Sequence, residues 1–312
     1  MTSLDKFPKL VRGFCVGFPG SGKTGSLAAL ANAGYKLRII DFDRNVDPLL
    51  QYVGKEAWSN VEVAQFYNPT ELKKFSVKLG QDLVTIEKLV PVGTPSAYTK
   101  ALRLLTDGWK YTDQRTGELV DLGKIQDWKD DTILILDSLT SQGERIREYA
   151  EWFLKRQSKG LRIQDWGLMQ KEQSEFLETM KIVGINCHIL VIAHLKLIEP
   201  KYLEDLTNDD TDSELSAKLK EIMEKSTELV PAKYYPSAIG RQLPQEIGKI
   251  FPYIVRYETK KIGVDAKRVI SVAPSEDCDV KVPLSEATIK ALTDVSAATG
   301  LLKIFEAVKK SA

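Results

Sequence analysis

The chain has 312 residues, of which 43% are hydrophobic and 28% charged, a composition that is ordinary for a globular protein with a packed core. Lys plus Arg number 44 and Asp plus Glu number 43, so the net charge is +1. This balance excludes a protein held to nucleic acid by bulk charge, although it leaves room for a local basic groove.

Cysteine spacing and hydropathy limit the cellular compartments in which the chain is expected. Cys15, Cys187 and Cys278 are scattered without a paired spacing, so we expect neither a disulfide framework nor a zinc site. No apolar run is long enough to span a bilayer, and residues 1–7 carry no apolar signal core. We therefore expect a cytoplasmic protein without membrane contact.

Short apolar runs alternate with helical patterns, which predicts an α/β fold with a mainly parallel sheet flanked by helices. The predicted strands are residues 14–16, 37–40, 61–64, 133–136 and 187–193. The predicted helices include residues 26–33, 97–105, 286–292 and 301–308. Residues 254–257 and 269–272 alternate like an antiparallel pair that closes the sheet.

Two longer helices are predicted between the last central strands. Ser141 and Glu144 have the spacing of a capping box, and the apolar residues that follow keep helical spacing: Ile146, Tyr149, Ala150, Phe153 and Leu154. On the next helix one face carries Trp166, Met169, Leu177, Met180 and Val183. We predict that this second face belongs to the core rather than to a cofactor site.

A phosphate-binding motif follows the first predicted strand. The run matches G-x-x-x-x-G-K-[ST] in full, and with the next glycine its residues are Gly17, Phe18, Pro19, Gly20, Ser21, Gly22, Lys23, Thr24 and Gly25. Glycines let successive amides turn toward phosphate oxygens, and the helix that begins there adds its positive dipole end. The motif predicts ATP binding, with Lys23, a solvated cation before nucleotide arrives, reaching the β- and γ-phosphates and Thr24 holding Mg²⁺.

The strand at residues 133–136 is followed by Asp137 and Ser138. A carboxylate at the tip of a buried parallel strand beside the loop is well placed to hold the Mg²⁺ shell. Taken alone, such an aspartate is equally typical of a cap on the next helix. Paired with the loop, it is predicted as a metal ligand.

With these motifs the chain resembles the RecA-type recombinase core. Asp41-Phe42-Asp43-Arg44-Asn45-Val46-Asp47-Pro48 resembles the family's D-A-E-x-x-x-D-P segment, in which the third residue orients the attacking water. The resemblance implies this role for Asp43, one methylene shorter than the family's Glu. Asp41 is a possible substitute, and a simple helix cap at Asp43 stays open.

The resemblance also covers the end of the strand at residues 187–193. There it implies that His194 is a polar sensor of the γ-phosphate, since a neutral imidazole donates one hydrogen bond. A structural role for His194 stays open, and His188 at the other end of the strand is predicted to be packed.

A closer likeness is to phage-encoded RecA-core ATPases that act in single-strand annealing or recombination. It rests on the loop, the Asp137-Ser138 pair, Asp165-Trp166-Gly167, His194, and the stretch at residues 236–244 (PSAIGRQLP). The implied organisation is a RecA-like core over residues 1–275 and a C-terminal helical tail over residues 276–312. Departures from the family are an insertion at about residues 67–123 and a mobile acidic loop at about residues 200–228.

The likeness implies single-stranded DNA as a partner, bound by a loop after the helix that follows Asp137. The candidate cations for this contact are Lys155, Arg156, Lys159 and Arg162, beside Trp152 and Trp166. A solvated helix end accounts for the same cations, because basic residues favour helix C-termini.

The likeness further implies a homo-oligomeric ring or filament, with a cation from the neighbouring subunit completing the site, and a single-strand binding protein as a possible partner. Arg241, Lys260 and Lys261 are the candidate cations, each with the alternative of an ordinary surface charge.

The sequence thus predicts a Mg²⁺-dependent ATPase, stimulated by DNA, that acts in phage recombination, annealing or replication in the host cytoplasm. The alternatives are a replicative-helicase-type motor, a P-loop kinase, and an ATP-dependent assembly switch without DNA binding. A kinase is expected to carry an Arg-rich lid, and the sequence has no compact Arg cluster.

Overall fold

The computed structural model describes residues 9–79, 82–113, 116–158, 160–198, 233–240, 242–262 and 265–311. Its strands are β1 (Arg12–Gly17), β2 (Lys36–Asp41), β3 (Val61–Gln65), β4 (Thr70–Leu79), β5 (Asp82–Pro91), β6 (Lys110–Thr112), β7 (Leu119–Asp121), β8 (Thr132–Asp137), β9 (His188–Ile198), β10 (Lys233–Pro236), β11 (Tyr253–Ile262), β12 (Asp265–Ser271) and β13 (Val295–Ser296).

The helices cover both faces of the main sheet. They are α1 (Lys23–Ser26), α2 (Ala28–Asn32), α3 (Asp47–Leu50), α4 (Ala97–Thr106), α5 (Leu139–Phe153), α6 (Ile163–Val183), α7 (Gln242–Ile250), α8 (Glu286–Leu292) and α9 (Ala297–Ser311), with 3₁₀ turns at Lys55–Asn60 and Ile125–Asp127. No helix in the described ranges is long and apolar enough to cross a membrane.

The main sheet has the strand order β13-β12-β11-β1-β9-β8-β2-β3, and β10 pairs with the far end of β9. The pairs from β11 to β3 are parallel, whereas β12 and β13 are added antiparallel. Every residue of β8 is buried, as a central parallel strand with both faces covered requires. The predicted fold class, a mainly parallel sheet with flanking helices and an antiparallel extension, is confirmed.

Alternation along β1 divides the core into two layers. Phe14 and Val16 face the layer that holds α4, α5 and α6, whereas Cys15 faces the layer that holds α1, α2 and α9. The apolar stripe of α9 (Leu301, Ile304, Phe305 and Val308) is buried in the second layer. The three cysteines are free thiols, and all are buried.

His188, at the start of β9, is fully buried and packed as predicted. Its Nδ1 accepts a hydrogen bond of 2.8 Å from the amide of Val11, so Nε2 carries the hydrogen and donates to the carbonyl oxygen of Asp130 at 2.9 Å. Burial lowers the pKa of this imidazole to about 4. His188 therefore links three chain segments as a neutral side chain.

The predicted insertion at residues 67–123 contains regular structure in the part that the structure describes. β4 and β5 pair antiparallel as a hairpin, α4 starts at Ala97 as predicted, and β6 pairs antiparallel with β7. The hairpin escaped prediction because it carries apolar pairs on both faces, such as Leu72 with Leu89 and Phe75 with Ile86, between charged residues. No single apolar face therefore marks it as a strand pair.

Two predictions about α5 and α6 are wrong. Trp166 is 43% exposed rather than part of the core, although Met169, Leu177, Met180 and Val183 are buried on α6 as predicted. The cap of α5 is Ser138, whose hydroxyl accepts the amide of Ser141, so the helix begins three residues before the predicted capping box. Glu144 binds Arg147 instead.

Candidate functional site

The glycine-rich turn between β1 and α1 has the backbone that a phosphate loop requires. Gly20 and Gly22 have φ angles of 76° and 94°, in the left-handed region that favours glycine. A Cβ on Gly17 would lie 2.6 Å from the carbonyl oxygen of Tyr257 and 2.7 Å from the hydroxyl of Ser21. The first amides of α1 have no acceptor within the helix, and therefore suit an anion.

Lys23 is buried beneath this turn and is not the solvated cation that the sequence predicted. Its Nζ donates hydrogen bonds of 2.9 Å to the carbonyl oxygens of Gly17 and Phe18. Burial lowers the pKa of the ammonium to about 8, although the carboxylate of Asp137 opposes the shift. The side chain is thus held at the loop before any phosphate is bound.

Thr24 and Asp137 meet in the site. The Thr24 hydroxyl donates a hydrogen bond of 2.8 Å to the Oδ2 atom of Asp137, which is buried at the carboxyl end of β8. Burial raises the pKa of Asp137 to about 7, and the negative charge of Asp43 adds to the shift. Two adjacent oxygen ligands beside a phosphate loop fit Mg²⁺, a hard cation that takes few protein ligands.

Asp41 and Asp43 occupy different positions at the end of β2. The Oδ1 atom of Asp41 accepts the amides of Asp43 and Arg44 at 2.9 Å each, and its Oδ2 accepts the side-chain amide of Gln65, also at 2.9 Å. Burial raises the pKa of Asp41. Asp43, by contrast, accepts the hydroxyl of Ser138 at 3.0 Å and is only partly buried.

His194 lies next to the loop because β9 is the strand between β1 and β8, and it pairs in register with Gly17. Its Nδ1 atom is 3.4 Å from Nζ of Lys23, and its main-chain amide donates to the Thr140 hydroxyl at 3.0 Å. Burial, together with the nearby Lys23 charge, lowers the pKa of the imidazole. His194 is therefore a neutral ring beside Lys23 and Gly17 of the loop.

Several residues of the site carry no signal that sequence reasoning could use. The Ser26 hydroxyl donates to the carbonyl oxygen of Lys23 at 2.6 Å, so the buried Tyr257 hydroxyl, 2.8 Å away, donates to Ser26. Gln65 and Thr140 likewise contact Asp41 and the main chain of His194. Gln65 and Tyr257 lie within unremarkable strands, and the strand pairing brings them to the site.

The predicted DNA contacts lie at the end of α5 and the start of α6. Lys155 and Arg162 are exposed, near the exposed side chains of Phe153 and Trp166. Arg156 is mostly buried and forms an ion pair of 3.6 Å with Asp165. Lys159 lies outside the described residues, as does the predicted acidic loop at residues 200–228.

The candidate cations for a neighbouring subunit differ in their surroundings. Lys260, on β11, forms an ion pair of 2.7 Å with Asp294. Lys261 is exposed on the same strand, and Arg241 lies outside the described residues.

Comparisons with known proteins give distant likenesses. No protein-family profile matches the chain, and no curated protein sequence matches it. Among solved structures, a KaiC-like protein, PH0186, from Pyrococcus horikoshii OT3 aligns with a TM-score of 0.36 and 11% identity over 85% of this chain and 79% of that chain. The flagellar accessory protein FlaH from Methanocaldococcus jannaschii aligns with a TM-score of 0.36 and 9% identity over 86% of this chain and 83% of that chain. Likenesses of this size identify neither an activity nor a partner.

Proposed function

We propose that the chain binds ATP with Mg²⁺ and hydrolyses it. The observation that carries the proposal is the convergence of Lys23, the Thr24–Asp137 pair and Asp43 around one glycine-rich turn. Lys23 and Thr24 begin α1, Asp137 ends β8, and Asp43 follows β2, so the groups meet at the carboxyl ends of the strands. Ligands of α/β sheets bind at this carboxyl edge.

Each part of the site is assigned one task. The amides from Gly20 to Gly25 bind the phosphate oxygens, and Lys23 exchanges its bonds to the two loop carbonyls for bonds to the β- and γ-phosphates. Thr24 and Asp137 hold Mg²⁺, which supplies charge neutralisation on the β- and γ-phosphate oxygens.

Asp43 is the proposed group that orients and deprotonates the attacking water. Asp41 is less suited to this task, because both of its oxygens already accept hydrogen bonds from protein groups. Asp43 accepts one bond from Ser138 and retains lone pairs for a water molecule. An acidic group acting in this way contributes about 10²–10⁴-fold to the rate.

His194 is the proposed sensor of the γ-phosphate. With Nδ1 facing the Lys23 ammonium as an acceptor, the hydrogen of the neutral ring is placed on Nε2 and is available to a phosphate oxygen or a water. The fixed contact between its main-chain amide and Thr140 holds the ring beside the loop.

We also propose, as the finer assignment, that the ATPase acts on single-stranded DNA. The proposal is supported by Lys155 and Arg162, which are exposed cations near the exposed aromatic rings of Phe153 and Trp166. Cations that follow the phosphates and rings that stack bases are the usual means of single-strand binding. A ring or filament in which Arg241, Lys260 or Lys261 reaches the neighbouring site stays a prediction. A single-strand binding partner, a cytoplasmic location and a phage origin also stay predictions.

The experiment is ATP turnover with and without single-stranded DNA, in the wild type, in Lys155→Glu/Arg162→Glu and in a control, Lys171→Glu, on an exposed part of α6. DNA should stimulate the wild type and the control but not the double variant. Replacing both cations with alanine should also reduce the slope of log affinity against log salt concentration by about 1.4, which is about 0.7 per phosphate contact. ATP turnover without any DNA effect would favour an assembly switch, and phosphate transfer to a small acceptor would favour a kinase.

A further inference from the structure

A second cavity lies at the edge of the sheet, apart from the phosphate loop. This edge pocket, of about 530 Å³, has Phe66, Leu104 and Tyr111 along its apolar wall, Lys100 and Arg103 from α4 at its rim, and Gln65 at the end of β3. Its volume falls within the range of about 300–1,000 Å³ that is typical of sites for small ligands.

The rim of the edge pocket is positively charged. Lys100 and Arg103 are three residues apart, so they project from the same side of α4, and both are exposed. Neither side chain forms an ion pair with a residue that the structure describes. Lys110, which also lines the pocket, pairs with Asp121 at 3.1 Å, and the carboxylate of Asp107 accepts the hydroxyl of Thr106 at 2.9 Å.

The edge pocket is connected to the candidate site by hydrogen bonds. Gln65 lines the pocket and donates to Oδ2 of Asp41 at 2.9 Å, while Oδ1 of Asp41 accepts the amide of Asp43 at 2.9 Å. Gln65, Asp41 and Asp137 are also directly paired across β3, β2 and β8. A shift of Gln65 therefore acts on the turn that places the Asp43 carboxylate.

We propose that the edge pocket binds a small anion with an aromatic body, and that its occupancy adjusts ATP turnover through Gln65 and Asp41. Lys100 and Arg103 bind the anionic group, while Phe66, Leu104 and Tyr111 contact the aromatic part. The binding half of the proposal stands on the pocket alone, whereas the regulatory half rests on the proposed function.

Binding is tested with two fluorescent probes that have the same rings, anilinonaphthalene sulfonate and the neutral N-phenyl-1-naphthylamine. The wild type should bind the sulfonate saturably, and Lys100→Glu/Arg103→Glu should bind it about tenfold or more weakly, because two charge-assisted contacts are reversed. The neutral probe should be little affected by the double variant. Lys171→Glu and Lys23→Ala should bind the sulfonate like the wild type. Equal sulfonate affinity in the double variant, or a loss in Lys23→Ala, would overturn the proposal.

Regulation is tested by ATP turnover with and without saturating sulfonate probe. The wild type should show a changed rate, and the ratio of the two rates should return to one in Gln65→Leu, which still binds the probe. An unchanged rate in the wild type despite probe binding would overturn the regulatory half. If the wild type has no ATP turnover at all, the proposed function fails, and the probe titrations still decide the binding half.

Discussion

The hydroxyl of Thr24 and the carboxylate of Asp137 form a 2.8 Å hydrogen bond between residues that are 113 positions apart in the chain. Thr24 follows β1 and Asp137 ends β8, and β9 separates these two strands in the sheet. The first turn of α1 therefore has to reach across the end of β9 to meet Asp137. These are the two oxygens that hold Mg²⁺ in the proposed function.

The different roles of Asp41 and Asp43 at the end of β2 can be tested by replacing each aspartate separately. Asp43→Asn should keep affinity for Mg-ATP and slow hydrolysis by about 10²–10⁴-fold, because the amide does not accept a proton. Asp41→Asn should mainly lower the free energy of unfolding, since its oxygens bind two main-chain amides and Gln65. Single-turnover hydrolysis and urea denaturation separate the two effects. Hydrolysis lost in Asp41→Asn but normal in Asp43→Asn would reverse the assignment.

The left-handed glycine at the start of α1 has a matched control elsewhere in the chain. Gly22 and Gly34 both have a φ of 94°, but a Cβ on Gly22 would lie 3.2 Å from Cδ of Arg268, whereas Gly34 has nothing within 4 Å. Each alanine variant should lose about 1–2 kcal/mol of stability through the strained backbone.

Only Gly22→Ala should also weaken ATP binding, as measured by calorimetry, because its amide belongs to the phosphate loop. Similar ATP affinities in Gly22→Ala and Gly34→Ala would mean that the loop is not the binding site.

We predict that the stability of the protein falls in acid, because His188 is buried as a neutral ring. Its pKa is about 4 in the folded chain against an ordinary value of 6.5, so below pH 6.5 the unfolded chain takes up a proton that the folded chain does not. The stability that the neutral ring confers is complete above pH 6.5 and falls by roughly 3 kcal/mol as the pH drops to 4.

Urea denaturation at pH 7 and pH 5 measures this loss, and His188→Gln supplies the comparison because an amide also accepts and donates but does not titrate. The wild type should lose more free energy of unfolding than the variant between the two pH values. Parallel losses would place the titration elsewhere.

The parts of the site that the sequence predicted are those in which one short segment carries the whole physical signal. The glycine spacing from Gly17 to Thr24 defines the loop by itself. The apolar run before Asp137 likewise predicts a buried strand with this aspartate at its carboxyl end. The sequence spacing does not decide whether Asp41 or Asp43 faces the site. That depends on which of the two carboxylates accepts hydrogen bonds from the neighbouring main-chain amides. Gln65 and Tyr257 reach the site only through strand pairing, which no local pattern encodes.

The same reasoning accounts for the errors outside the site. Periodicity places Trp166 on the apolar face of α6, but that face is covered only where another element packs on it, and Trp166 stays 43% exposed in the first turn. Ser138 and Ser141 are both good N-cap residues by type. Ser138 is the cap because α5 begins directly after β8.

The central claim is that the turn from Gly17 to Thr24 binds the triphosphate of ATP through Lys23. The most direct measurement is calorimetric titration of ATP with Mg²⁺ into the wild type, Lys23→Met and the control Lys171→Met. Methionine keeps an unbranched apolar side chain at the buried position. The unfolding temperature of the variant is measured as well, because it reports any loss of packing there.

The wild type and Lys171→Met should bind one ATP per chain with the same affinity. Lys23→Met should bind about 10- to 100-fold more weakly while remaining folded, because a charge-assisted hydrogen bond contributes about 1.5–3 kcal/mol. Equal ATP affinity in a folded Lys23→Met variant, or no ATP binding by the wild type, would contradict the account.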